Sequence, residues 1–143
     1  MRVLVCGGRD FEDVRLAMHT LDSWHAAQPI SCIIEGGAEG ADRLARRWAY
    51  AAGIGVDTYK ADWDLHGRAA GPIRNQRMID EGKPDLVIAF PGGRGTADMV
   101  RRARVAAIDL LEASPFNEAD IQEERAQGSS SISRVCHSAR SVL

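Results

Sequence analysis

Two periods of hydrophobic and polar residues alternate along this chain. Arg2-Val3-Leu4-Val5-Cys6 is a short apolar, β-branched run, and Gly7-Gly8-Arg9-Asp10-Phe11 follows it. Val14, Leu16, Ala17, Leu21 and Trp24 then recur at near-helical spacing up to about Ala27. Asp10 or Asp13 is a suitable N-cap, and Gln28-Pro29 breaks the helix. The cycle repeats. Ile30 to Ile34 predicts a second strand, and Glu35-Gly36-Gly37-Ala38-Glu39-Gly40-Ala41-Asp42 is a second glycine-rich turn. Leu44, Ala45, Trp48, Ala49 and Ala52 mark one face of a second helix, with Arg43, Arg46 and Arg47 off that face. Gly53 ends it as the residue after the C-cap.

Ile54 to Lys60 alternates weakly and predicts a third, shorter strand. Residues 62–72 read as a long connection that mixes Trp63, His66, Arg68 and two aspartates, and long connections in compact domains often carry binding loops. Pro72 suits the first position of a helix running Ile73 to Glu81, with Gly82 at its end. Leu86 to Phe90 is an unbroken apolar run, the signature of a strand covered on both faces. Pro91 ends its ladder for want of an N–H. Gly92-Gly93-Arg94-Gly95 turns the chain, and Thr96 caps a helix from Ala97 to Ala106. Ile108 to Glu112 suits a fifth strand or more helix; a strand is favoured because the sheet otherwise lacks an edge. Asn117 caps a short helix, Glu118 to Gln127, and the Ser-rich remainder reads as a poorly ordered tail that holds Cys136 and His137.

Strands alternating with helices predict an α/β fold: a Rossmann-like three-layer sandwich with a mostly parallel sheet of about five strands in an order near 3-2-1-4-5. The domain spans residues 1–113, with 114–143 as a C-terminal extension. In that order the first and fourth strands lie side by side at the switch point, where ligands bind. The turns at Gly7-Gly8 and Gly92-Gly93 then flank one crevice, with Gly36-Gly37 one strand over.

Bulk properties exclude more than they assign. A chain of 143 residues predicts one domain. The formal charge of −2 provides no global pull toward nucleic acid, which makes a nucleic-acid partner the weaker expectation. No apolar run approaches the roughly 20 residues of a membrane span, and the opening residues lack a signal peptide's apolar region, so the expected location is cytoplasmic. Three cysteines without CxxC spacing argue against a disulfide framework, and the scattered histidines against a metal site. No turn reads as a dinucleotide fingerprint or a P-loop, and no nucleophile elbow is present. No cofactor is expected.

The positive chemistry lies in the glycine turns. A strand, a glycine turn and a helix N-terminus with free N–H groups together attract phosphate, and three such turns converging on one sheet edge strengthen that expectation. Arg94 has the fork for a phosphate or base contact and equal freedom to face solvent. Arg74, Asn75 and Arg77 share one helical turn, with a salt bridge as the alternative role for the arginines. Asp42 and Asp10 suit either a helix cap or a ribose hydroxyl. Trp63 suits a base stack or an interface. Cys6 and Cys32 read as reduced core residues, and His66 as an exposed one.

Val5-Cys6-Gly7-Gly8-Arg9-Asp10-Phe11, the Glu35 to Asp42 turn, Gly71-Pro72-Ile73-Arg74-Asn75-Gln76-Arg77-Met78 and Phe90-Pro91-Gly92-Gly93-Arg94-Gly95-Thr96-Ala97-Asp98-Met99 resemble the YspA-type, YpsA-related branch of the SLOG superfamily (DUF2493). The resemblance covers about residues 1 to 112. It implies a Rossmann-like fold shared with the Lonely Guy phosphoribohydrolases and the DNA-processing protein A recombination mediators. It also implies a nucleotide or nucleotide-derived, ADP-ribose-like ligand, sensed or processed in phage and bacterial conflict systems by a dimer or higher oligomer. Gly7, Gly8, Arg9, Asp10, Gly36, Gly37, Gly40, Asp42, Arg74, Asn75, Arg77, Gly92, Gly93, Arg94, Gly95 and Thr96 are the expected ligand-binding residues. Arg74 matches the family's helix-borne, phosphate-holding arginine. The hydrolases carry a glutamate where this chain has Met99, and a thioether cannot do that carboxylate's work. The resemblance therefore favours binding or sensing without chemistry. The alternatives are an N-glycosidase acting on nucleoside monophosphates, with Asp98 as its carboxylate, and a DNA-binding protein.

Overall fold

The computed structural model describes residues 1–114. The expected helix at Glu118 to Gln127 and the tail beyond it lie outside the described residues. Five parallel strands, β1 (Arg2–Cys6), β2 (Cys32–Glu35), β3 (Gly55–Thr58), β4 (Leu86–Ala89) and β5 (Asp109–Glu112), form one sheet in the order β3-β2-β1-β4-β5. This is the expected Rossmann-like arrangement, and Ile108 to Glu112 contributes a strand rather than more helix. The helices are α1 (Val14–Ala27), α2 (Ala41–Ala52), α3 (Trp63–His66), α4 (Ala70–Asp80) and α5 (Arg94–Val105).

Strand pleating explains how two helical layers share one sheet. Successive side chains point to opposite faces. Val3, Val5, Ile33 and Ile88 therefore pack with Leu16, Ala17 and Leu21 of α1 and Leu44, Ala45 and Trp48 of α2. Leu4, Ile34, Val87 and Leu110 pack with Met78 and Ile79 of α4 and Met99, Val100 and Ala103 of α5. Winding reverses between β1 and β4, which leaves the ends of these two neighbouring strands open to a ligand.

Three local expectations change. Residues 63–69 are helical turns rather than an open loop: Asp62 caps α3 by accepting from the Leu65 N–H (3.0 Å), and a 3-10 turn, Gly67–Ala69, joins it to α4. Helix α4 thus begins at Ala70, two residues before Pro72. Helix α5 begins at Arg94, so Thr96 is inside its first turn and is not the cap. Gly93 is the N-cap and supplies no side-chain acceptor, so the early amides of α5 go without a capping side chain. Asp13, of the two candidates offered, caps α1 through the Leu16 N–H (2.9 Å). Among the described residues no helix is long and apolar enough to cross a membrane.

Candidate functional site

The ends of β1 and β4 are tied together by main chain. The Gly8 N–H donates to the Pro91 carbonyl (2.9 Å), and the Gly8 carbonyl accepts from Ala41 at the start of α2 (3.2 Å). Phe11 stacks on Phe90 directly beneath (5.0 Å between centroids). Glycine is required where these chains meet. A Cβ at Gly40, which has φ +71°, would stand 2.1 Å from the Gly8 carbonyl oxygen, and one at Gly92 would stand 2.6 Å from the Gly8 nitrogen. Gly93 and Gly95 differ: a Cβ there would meet nothing within 4 Å, because their open side faces the crevice and solvent.

The crevice has a volume of about 730 Å³, within the range of sites that bury a small-molecule ligand. Gly7, Gly8, Arg9, Gly36, Gly37, Asp42, Arg74, Asn75, Gly93, Arg94, Gly95, Thr96 and Asp98, all named from the sequence, line it. Asp10, Gly40, Gly92 and Arg77 do not. Gly40 and Gly92 are spent on backbone packing, and Asp10 is exposed beside the turn. Arg77 corrects the expectation that it works beside Arg74. It is ion-paired to Glu81 (2.7 Å) and stands over the Tyr59 ring at 5.5 Å. Being three residues from Arg74 rotates it by about 60° on the helix, enough to turn it out of the crevice.

The turn after β2 is not an open phosphate cradle. Asp42 Oδ2 accepts from the Gly36 N–H (3.1 Å) and the Ala38 N–H (3.2 Å), and Glu35 accepts from the Gly37 N–H (2.6 Å). Its amides are therefore filled by the chain's own carboxylates. Glu35 is fully buried and also accepts from Thr58 and from Arg46 (3.0 Å). Burial pushes the Asp42 carboxyl up to about 6; the Ala38 and Gly36 amides and the Arg74 charge pull it down, and the charge of Glu35 adds to the rise.

Arg74 is anchored on this same turn. Its guanidinium donates to the Gly36 carbonyl (2.6 Å), to the Tyr59 carbonyl (3.4 Å) and to the side-chain oxygen of Asn75 (3.1 Å). Burial lowers its pKa, Asp42 opposes that, and the like charge of Arg9 lowers it further. Asn75, itself buried, passes the contact on to α5 by donating to the Gly95 carbonyl (3.2 Å) and to Asp98 (3.0 Å). Asp98 is also held by Arg101 and by Arg102 (2.8 Å). Burial works against its charge, but the hydrogen bonds from Arg102 and Asn75 and the arginine charges outweigh it and hold its pKa below the ordinary carboxylate value. Met99, the next residue, is fully buried in the layer between α5 and the sheet. Cys6 also lines the crevice, but burial pushes its thiol far up, so it does not act as a thiolate.

Trp63, weighed above for a base stack, also lines the crevice, with Arg9 standing 6.0 Å over its ring, and Lys60 and Arg68, beyond the sequence-derived set, complete the lining. Lys60 closes the weakly alternating Ile54 to Lys60 run and Arg68 lies in the long connection, so nothing in the pattern singled them out as ligand contacts. Glu35 did carry a signal: it is a carboxylate closing an apolar strand directly before Gly-Gly.

Comparison with known proteins places this geometry in context. The model of the YspA, cpYpsA-related SLOG family matches residues 1–66. The chain is 37% identical over 118 residues to the Gene 61 protein of Mycobacterium phage D29, across 77% of this chain and 94% of that protein. The X-ray structure of DNA processing protein A (DprA) from Streptococcus pneumoniae matches with a TM-score of 0.64 at 17% identity over 93% of this chain. This chain spans 56% of that DprA chain, and a likeness at such low identity speaks to the fold alone.

Proposed function

The chain belongs to the YspA, cpYpsA-related SLOG family, and from that premise we propose that it binds a nucleotide or an ADP-ribose-like nucleotide derivative in the crevice between β1 and β4, as a sensor or sequestering protein. One observation carries this reading: every cation that lines the crevice stands outside any ion pair among the described residues, whereas seven of those elsewhere are paired with a carboxylate. Arg2, Arg43, Arg46, Arg77, Arg101, Arg102 and Arg104 are each within 4.0 Å of a carboxylate, and none of them lines the crevice. Arg9, Lys60, Arg68, Arg74 and Arg94 line it, and none of these is in an ion pair among the described residues. In a chain of formal charge −2, cations left unpaired on one concave surface form a receptor for an anion. The uncapped amides of α5 open on the same space.

Retention without turnover is favoured by the condition of the carboxylates. Asp98 is held ionised by three donors, and Met99 offers no acid. An N-glycosidase needs a carboxyl free to protonate the leaving base or to stabilise the oxocarbenium ion. A second reading, hydrolysis, is favoured by the position of Asp42: it lines the crevice, and burial raises its carboxyl's pKa to about 6.

Mass spectrometry of small molecules carried through purification, followed by incubation with AMP, tests both readings. A copurifying nucleotide and no release of adenine support the sensor. Free adenine and ribose 5-phosphate, lost in Asp98→Asn or Asp42→Asn, support the hydrolase. Failure of a panel of nucleotides to bind at all refutes both.

A further inference from the structure

The unpaired cations do not form one cluster. Arg9 follows Gly8, whose amide is fastened to Pro91, and Arg94 opens α5, so these two flank the β1 and β4 ends. Lys60 and Arg74 flank the other turn: a Cβ at Gly37 would stand 3.0 Å from Lys60 Cγ, and Arg74 is bonded to the Gly36 carbonyl. Arg9 and Arg94 are thus rooted at the turns after β1 and β4, and Lys60 and Arg74 on the segments that face the turn after β2. The amides of the second turn are already taken by Asp42 and Glu35, which leaves that group its side chains alone.

We infer that the crevice is built for a nucleotide bearing at least two phosphate groups, one held by Arg9 and Arg94 with the α5 amides and the other by Lys60 and Arg74. The inference rests on the nucleotide-binding reading above and adds the phosphate count to it. The charge balance agrees. The lining carries five cationic side chains and two carboxylates, five minus two or +3, whereas one phosphate monoester brings about −1.5 to −2. A single phosphate leaves about +1 to +1.5 of that charge unmatched. Arg9 and Arg74 already repel one another across the space, and an anion between them relieves that.

The test compares AMP with ADP, and GMP with GDP, by calorimetry on the full chain. The expected result is a diphosphate bound about ten-fold or more tightly than its monophosphate, the effect of about one added charge-assisted contact. Lys60 is exposed, so Lys60→Gln should fold, as a thermal melt will check. It should weaken the diphosphate more than the monophosphate, which shrinks the ratio. Equal affinity of mono- and diphosphate in the wild type overturns the inference and leaves the nucleotide-binding reading standing. So does a ratio unchanged by Lys60→Gln. Binding of none of the four overturns both.

Discussion

Asp42→Asn isolates the cost of keeping a buried carboxylate in the crevice wall. The side chain is nearly inaccessible, and its pKa is raised from the ordinary 3.8 to about 6. The folded protein thus holds this proton more tightly than the unfolded chain does. The stability that the protonated form contributes is complete below the unfolded pKa and is lost as pH rises through the folded one, between about 3.8 and about 6. That rise corresponds to about 3 kcal/mol, of which about 2 kcal/mol falls between pH 7.5 and pH 4.5. Asparagine retains an oxygen that can accept from the Gly36 and Ala38 amides but has no charge to desolvate. Its stability should therefore lack this dependence.

The assay is urea unfolding of both proteins at pH 4.5, 6.0 and 7.5. Only the difference between the two counts, because other carboxylates, Asp98 among them, lose native interactions on acidification in both. At pH 7.5 the variant should match or exceed the wild type. By pH 4.5 the balance should move about 2 kcal/mol toward the wild type, about 6 °C in Tm. A difference that stays flat across this range refutes the reasoning, and would mean that water or Arg74 compensates the carboxylate fully.

Two further outcomes follow from the turns. Gly40→Ala and Gly53→Ala share φ +71°, but only Gly40 faces backbone at 2.1 Å, whereas Gly53 faces open space; Gly53→Ala should cost about 1 kcal/mol and Gly40→Ala about 3 kcal/mol or more, read by urea unfolding. Glu35→Ala leaves the Gly37 amide, the Thr58 hydroxyl and Arg46 without their acceptor and should cost about 3 kcal/mol. Glu35→Gln, which keeps acceptor oxygen, should cost clearly less in the same measurement, and equal losses would count against the network.

The sheet and its order were legible because apolar runs bounded by glycine leave little choice in an alternating chain, and β1 and β4 are paired as the pattern requires. Boundaries were less legible. Thr96 looks like a cap, yet α5 starts two residues earlier because Gly93 already serves as the N-cap. Residues 62–72 lack apolar periodicity because α3 and the 3-10 turn bury no side chain. At the crevice, residues held by main-chain contacts, such as Gly8 and Gly93, could be named from the turn motif. Lys60 and Arg77 could not be assigned, because whether one reaches the crevice and the other leaves it depends on tertiary partners that no local pattern encodes.

Glycine content alone does not make an anion site, and the two richest turns of this chain differ for a nameable reason. After β2, Glu35 and Asp42 flank the glycines and fill their amides. After β4, the first acid is Asp98, and Asn75, Arg101 and Arg102 hold it among donors of α4 and α5. The cradle that stays open is the one whose nearest carboxylate is occupied elsewhere. The same geometry bears on chemistry. Met99 is one residue further along α5, about 100° around the helix, and that step turns it into the apolar layer against β4 and β5 rather than toward the crevice. A glutamate placed there would be an unpaired carboxyl in the core, costing several kcal/mol, before it could reach a ligand. In this backbone the first turn of α5 has no capping side chain, and its second turn does not aim a free carboxylate at the crevice.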